Sequence, residues 1–318
     1  MTRFQRLDGA ITNLAFNIRK DWKAIPSWIA PCVNKDASHI GRQEMTAVGR
    51  ACISRFLVDE IFSRCFHPGL DVDTSSTLKA IEQNIRRFHP SMNSQEESDA
   101  LTSKVLQWRL ATLDGLRDAL GSPEAEEVKK AFAQRSTTNL TAHLINCLSE
   151  PTPPGVEDSA HMIVELAVSI AANLPLESRD ISIIYPMPGD LLSSFIMKVE
   201  TGLPALDNPG LLQDNGSDHD GSSIGSTDDL GKDNGERNDI KGGKKEKPKG
   251  PGMLSAMMGQ GNGGANKKSG LPSPGIEPEG AKGDKRDTGP QTVRFAGFVG
   301  VEVRGRQVLV KSPVWTVT

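Results

Sequence analysis

Between residues 211 and 290 the chain contains no Phe, Trp or Tyr and holds 18 of its 31 glycines. Such a stretch cannot bury enough apolar surface to offset the backbone entropy lost on ordering, so it is expected to be disordered. Whatever the 318-residue chain folds must come from the two flanks, which still amount to about 240 residues, enough for a sizeable core.

In the longer flank, apolar residues from 4 to 149 recur at helical spacing, with Pro or Gly punctuation. Ile40, Val48, Cys52, Leu57 and Ile61 share a stripe that Ile53, Phe56 and Phe62 widen, as burial against several helices requires. Ser94 and Glu97 have capping-box spacing ahead of Leu101, Val105 and Trp108, with Leu106, Leu110 and Leu113 beside them, so residues 94–120 are expected to form a long core helix. Ser122 and Pro123, followed by acids up to Glu127, start another helix that should run towards Leu148. The string EPTPPG at 150–155 ends this region, because consecutive prolines cannot continue a helix.

Beyond it, AHMIVELAVSIAANL is apolar on nearly all faces, ISIIY at 181–185 reads as a buried strand and FIMKV at 195–199 as a second. Residues 293–317 alternate as a β-hairpin. A turn at Arg304 and Gly305 would pair Val301 with Val308, Val299 with Val310 and Phe295 with Val314 on one apolar face. Arg294, Phe298, Glu302, Leu309, Lys311 and Trp315 fall on the opposite, amphipathic face, expected to be open to solvent or half covered. A lone hairpin is marginal in water, so this one must pack on ISIIY and the helix before it. The expected fold is therefore α+β. A mainly helical domain, 1–150, carries a small α+β unit, 156–210 plus 291–318, whose antiparallel sheet cap is interrupted by the disordered insertion 211–290.

The net charge of −3 implies no strongly charged partner, yet it conceals a segregation. Residues 213–240 carry eight acids against two bases and residues 241–268 seven bases against one acid, so the linker is a charge-blocked polyampholyte. Cys32, Cys52, Cys65 and Cys147 lie far apart with no CxxC spacing, which suits a reduced, intracellular protein, cytoplasmic or nuclear. The N-terminus lacks a signal-peptide run and no stretch of about 20 apolar residues is evident, so neither secretion nor membrane spanning is expected. The sequons at Asn139 and Asn215 are accordingly expected to stay unmodified.

No phosphate loop, dinucleotide fingerprint, nucleophile elbow or zinc spacing occurs, and no catalytic residue, cofactor or metal is assigned. Asp158, His161 and Glu165 share a helix face that could contribute metal ligands or an acid/base pair, although surface pairing of His161 with Glu165 is the simpler reading. Asp71, Asp73, Ser75, Leu78 and Glu82 mimic a calcium loop, but Ser76 replaces its glycine, and serines capping a helix explain the segment better. His67 and His89, each before a proline, read as helix stops facing a C-terminal dipole. KKEKPK at 244–249 fits a basic nuclear-import pattern or a solvated linker, and PGMLSAMMG at 251–259 is the linker's apolar island, either a segment suited to a partner's groove or a simple cluster of loop residues.

The segments DWKAIPSWI, DEIFSRCFHPGL, WRLATLDGL, ANLPLESRDISIIYPMPG and VRFAGFVGVEVRGRQVLVKSPVWTV resemble a family of uncharacterised proteins from filamentous fungi. The resemblance spans the folded flanks and omits the linker. It implies an intracellular protein of unassigned activity and carries over no catalytic residue.

The expected function is a non-catalytic protein-interaction or regulatory role, with the linker recruiting a protein partner. The alternative is a nuclear nucleic-acid-associated protein using the basic block 241–268 with Arg294, Phe298, Lys311 and Trp315, and a second alternative is a hydrolase or metal enzyme using His161 and Glu165.

Overall fold

Leu7, Ile11, Leu14 and Ile18 recur at helical spacing and give α1 (Thr2–Ile18) a buried stripe. α2 (Arg42–Leu57) buries Val48, Cys52, Ile53 and Leu57, and runs into one π turn, Val58–Phe62, closed by Ser63 N donating to the Val58 carbonyl at 2.9 Å. The computed structural model describes residues 2–39, 41–87, 94–209 and 291–317. Ile40, His89 and the linker 211–290, with its basic block and apolar island, lie outside the described residues.

The calcium-like segment is helical. Asp71 caps α3 (Val72–Arg86) by accepting from Thr74 N at 2.9 Å. The serines do not cap α3, and the Ser75 hydroxyl instead accepts from the backbone N–H groups of Phe66 and His67 at 3.0 and 3.2 Å. Ser94 accepts from Glu97 N at the start of α4 (Gln95–Gly115), and a separate turn, α5 (Arg117–Leu120), follows. α4 is peripheral rather than a core helix. It buries one row, Leu101, Val105, Arg109 and Leu113, against α3 and the turn Leu174–Leu176, and leaves Leu110 exposed. Ser122 caps α6 (Pro123–Ile145), with Pro123 in the first turn.

α7 (Val156–Asn173) packs against both α1 and α6, with Ala160, Ile163, Val164 and Ala167 fully buried. With the turn after it, Val156–Leu176 is long and apolar enough to cross a membrane by length and composition, which the sequence reading did not register. Its apolar residues are divided between burial against α1 and α6 and exposure at Met162 and Leu176. Core side chains of 1–150 and of 156–210 with 291–317 join one buried cluster, from Phe4 and Leu7 through Ile163 to Phe295 and Val301. The Pro-rich string 150–155 is thus a turn between helices of a shared core.

The β elements form two three-stranded sheets rather than one. β1 (Ile181–Ile184) pairs antiparallel with β4 (Gly300–Val303), which pairs with β5 (Gln307–Val310), as the packing of the hairpin on ISIIY requires. The second sheet is mixed: β6 (Ser312–Thr316) runs parallel to β2 (Met197–Val199) and antiparallel to β3 (Val293–Ala296). The chain turns a corner at Gly297–Val299, where no side chain fits above Gly297: a Cβ there would lie 2.9 Å from Trp315 Cζ3.

The hairpin register also differs from the expected one. A three-residue loop, Arg304–Arg306, carries Gly305 at φ 67°, and a bulge follows, so Val301 faces Val310 while Val303 faces Gln307. Phe295 faces Trp315 instead of Val314. The face expected to be amphipathic is largely interior, with Arg294, Phe298 and Trp315 buried, Glu302 and Leu309 half-buried, and Lys311 exposed.

Candidate functional site

The first turn of α2 presents Glu44, and β3 presents Arg294; both are fully buried and form an ion pair. Burial lowers the Arg294 pKa, and Glu44 offsets part of that. The other two nitrogens of Arg294 donate to backbone, Nε to the Cys32 carbonyl at 2.7 Å and Nη1 to the Pro204 carbonyl at 2.8 Å. Glu44 accepts from Asn34 N at 2.9 Å. Asn34 in turn donates Nδ2 to the Ala205 carbonyl at 3.0 Å and accepts from Asp207 N at 2.8 Å. One satisfied polar clasp therefore ties 32–34, α2, 204–207 and β3 together. Those last two segments are the chain's approach to residue 210 and its return after 290.

A second polar group surrounds Asp180, the buried residue before β1. Arg86 from α3 grips its carboxylate through both terminal nitrogens, each at 2.7 Å, and also donates to Glu82 at 2.8 Å. Arg304 Nε lies 3.2 Å from Asp180, its Nη2 donates to the Ser182 hydroxyl at 3.2 Å, and Lys79 donates to Glu82 at 3.2 Å. Arg109, buried on α4, donates to the Glu177 carbonyl at 2.6 Å. Burial lowers the Arg109 pKa, whereas at Arg86 the bonds and charge of Asp180 outweigh burial and raise it. Burial would also raise Glu82, but Lys79 and Arg86 outweigh it and hold its carboxyl low.

Asp158, His161 and Glu165 lie exposed along α7, on a shallow cavity of about 420 Å³ shared with Lys130, Gln134, Thr137 and Thr138 of α6. Among the described residues no group of three or more His, Cys, Asp or Glu side chains is placed to hold a metal. The His67 ring caps its own turn, Nδ1 accepting from Gly69 N at 3.1 Å, and burial lowers its pKa. Cys32 is pushed up to about 11 by burial in spite of Arg294, and burial raises Cys52, Cys65 and Cys147 as well. Thiols raised in this way stay protonated at neutral pH and lack the thiolate a nucleophile needs. Sequence reasoning missed Glu44 and the Asp180 group, and placed Arg294 on an open or half-covered face where the structure buries it. The available signals were an arginine inside a hydrophobic strand and an acid in a first helical turn.

No family model, curated protein or solved structure matches the chain.

Proposed function

We propose that the protein is a non-catalytic interaction protein that carries residues 211–290 between two fastened segments and recruits a protein partner through them. The clasp carries this reading: Arg294 and Asn34 hold the backbone at 204–207 beside β3, so the chain leaves and re-enters the fold at one buried anchor. An anchor of that kind lets a long segment be carried at little cost to the core, since closure entropy grows slowly with loop length. The segment's acidic and basic blocks supply opposite charges side by side for a partner of matching pattern, and unpaired thiols suit an intracellular setting. Burial of Arg294, Phe298 and Trp315 removes most of the face that a nucleic-acid role would use and leaves that role the basic block 241–268.

The test is affinity capture from cell extract with the full chain and with a chain lacking 215–285. Partners retained by the first and lost from the second are expected, and identical sets overturn the reading.

A further inference from the structure

A cavity of about 250 Å³ opens beside the Asp180 group, between α3, the π turn, the Leu174–Leu176 turn, β1 and the loop residue Arg304. Lys79, Arg86, Arg109 and Arg304 line it, and among the described residues Glu82 is the one carboxylate that does so. Counting Asp180, four cations share two carboxylates, which leaves a net excess of two positive charges. The exposed side chains of Glu177 and Arg179 nearby offset each other.

Arginine does not shed its proton, so a partly buried guanidinium excess must be met by an anion or by solvent. Two donors in the group are also unmatched: Nε of Arg109 and Nε of Arg304 are buried without a hydrogen-bond partner, although the latter sits close to Asp180. Arg109 itself is 4 % exposed and cannot swing out to water to satisfy its donor.

We propose that this cavity binds a phosphate group, either inorganic phosphate or the head of a small phosphate monoester. A dianion matches the charge excess, where a carboxylate would supply half of it. Planar guanidinium forks suit tetrahedral oxyanions, and the Lys79 ammonium adds a point charge at the same wall. The volume lies below the roughly 300–1,000 Å³ of sites that enclose drug-sized ligands, so the phosphate enters and any attached group stays outside.

The test is calorimetric titration of the full chain with sodium phosphate and with O-phosphoserine, against chloride at matched ionic strength. Saturable one-to-one binding of phosphate is expected. Equal affinity for the two probes assigns the free ion as ligand, and tighter phosphoserine assigns the monoester. Arg304→Gln and Lys79→Gln each remove one lining cation from a partly exposed side chain, while Asp180 keeps both bonds to Arg86, so the fold should survive, as a thermal melt would confirm. Each variant is expected to weaken binding by about tenfold or more. Absence of saturable binding of either probe to the parent, or unchanged affinity in both variants, overturns the proposal.

Discussion

Arg294 shows how much one side chain can hold when each of its three nitrogens has a partner. Truncating it to Met would strand the Glu44 carboxylate in the interior and free the carbonyls of Cys32 and Pro204, and breaking a buried pair from one side costs about 3–5 kcal/mol. Urea denaturation of Arg294→Met should show a loss of that size, and pairing it with Glu44→Gln should recover part, because the stranded charge is gone. No recovery would mean that the backbone bonds, not the ion pair, carry the effect. Glu82 gives a pH prediction. Its folded carboxyl is held below its ordinary value of 4.5 by Lys79 and Arg86 against the opposing effect of burial. The unfolded chain therefore takes up this proton first as pH falls, so the contribution of ionised Glu82 is complete above about 4.5 and disappears through the lower folded value. Melting temperatures of the parent and Glu82→Gln should differ most near neutral pH and converge in acid. A gap constant with pH would show that Glu82 acts through packing alone.

Elements with local signals were legible in the sequence, and those set by distant partners were not. Ser94 and Ser122 cap the helices their spacing announced, and ISIIY pairs with the hairpin as its β-branched run required. The hairpin register was not legible, because the three-residue loop and the bulge between Val301 and Glu302 each add a residue that alternation cannot count. Arg294 looked outward-facing for a similar reason: its partner Glu44 is 250 residues away, and no local pattern encodes that meeting. The Asp180 group is drawn from α3, α4 and the loop after β4, again beyond local reach. Two glycines distinguish the backbone demands of this sheet region. Gly305 has φ 67° with nothing within 4 Å of an added Cβ, so Gly305→Ala meets backbone strain alone and should cost about 1 kcal/mol. At Gly297 an added Cβ would press on Trp315 at 2.9 Å and on the Arg50 guanidinium carbon at 3.3 Å, so Gly297→Ala should cost more, about 1–3 kcal/mol, through overpacking. Chemical denaturation of the two variants checks the order, and an equal or reversed order would mean that the corner relaxes more easily than the loop.

At the scale of the whole molecule, the returning segment 291–317 completes the core that the helices begin. Phe295, Phe298, Val299, Val301 and Trp315 are buried in the same cluster as α1, α2 and α7, and Tyr185 spans the join, its hydroxyl lying 3.1 Å from the Ala51 carbonyl and 3.0 Å from that of Ala296. Each large apolar side chain fully buried contributes roughly 1.5–3 kcal/mol by area, so a handful of them equals the about 5–15 kcal/mol net stability of a typical domain. Deleting residues 291–318 removes all five, unpairs β1 and β2, and leaves Glu44 without Arg294. Deleting 215–285 removes none of these side chains, and the clasp still holds both ends of the shortened connection. Thermal unfolding followed by circular dichroism should therefore place the linker-deleted chain close to the parent, while the chain lacking 291–318 aggregates or melts far earlier. An unchanged melting temperature on losing 291–318 would make that segment an appendage and undo the shared core, whereas a large drop on losing 215–285 would assign the linker a stabilising part that the clasp does not explain.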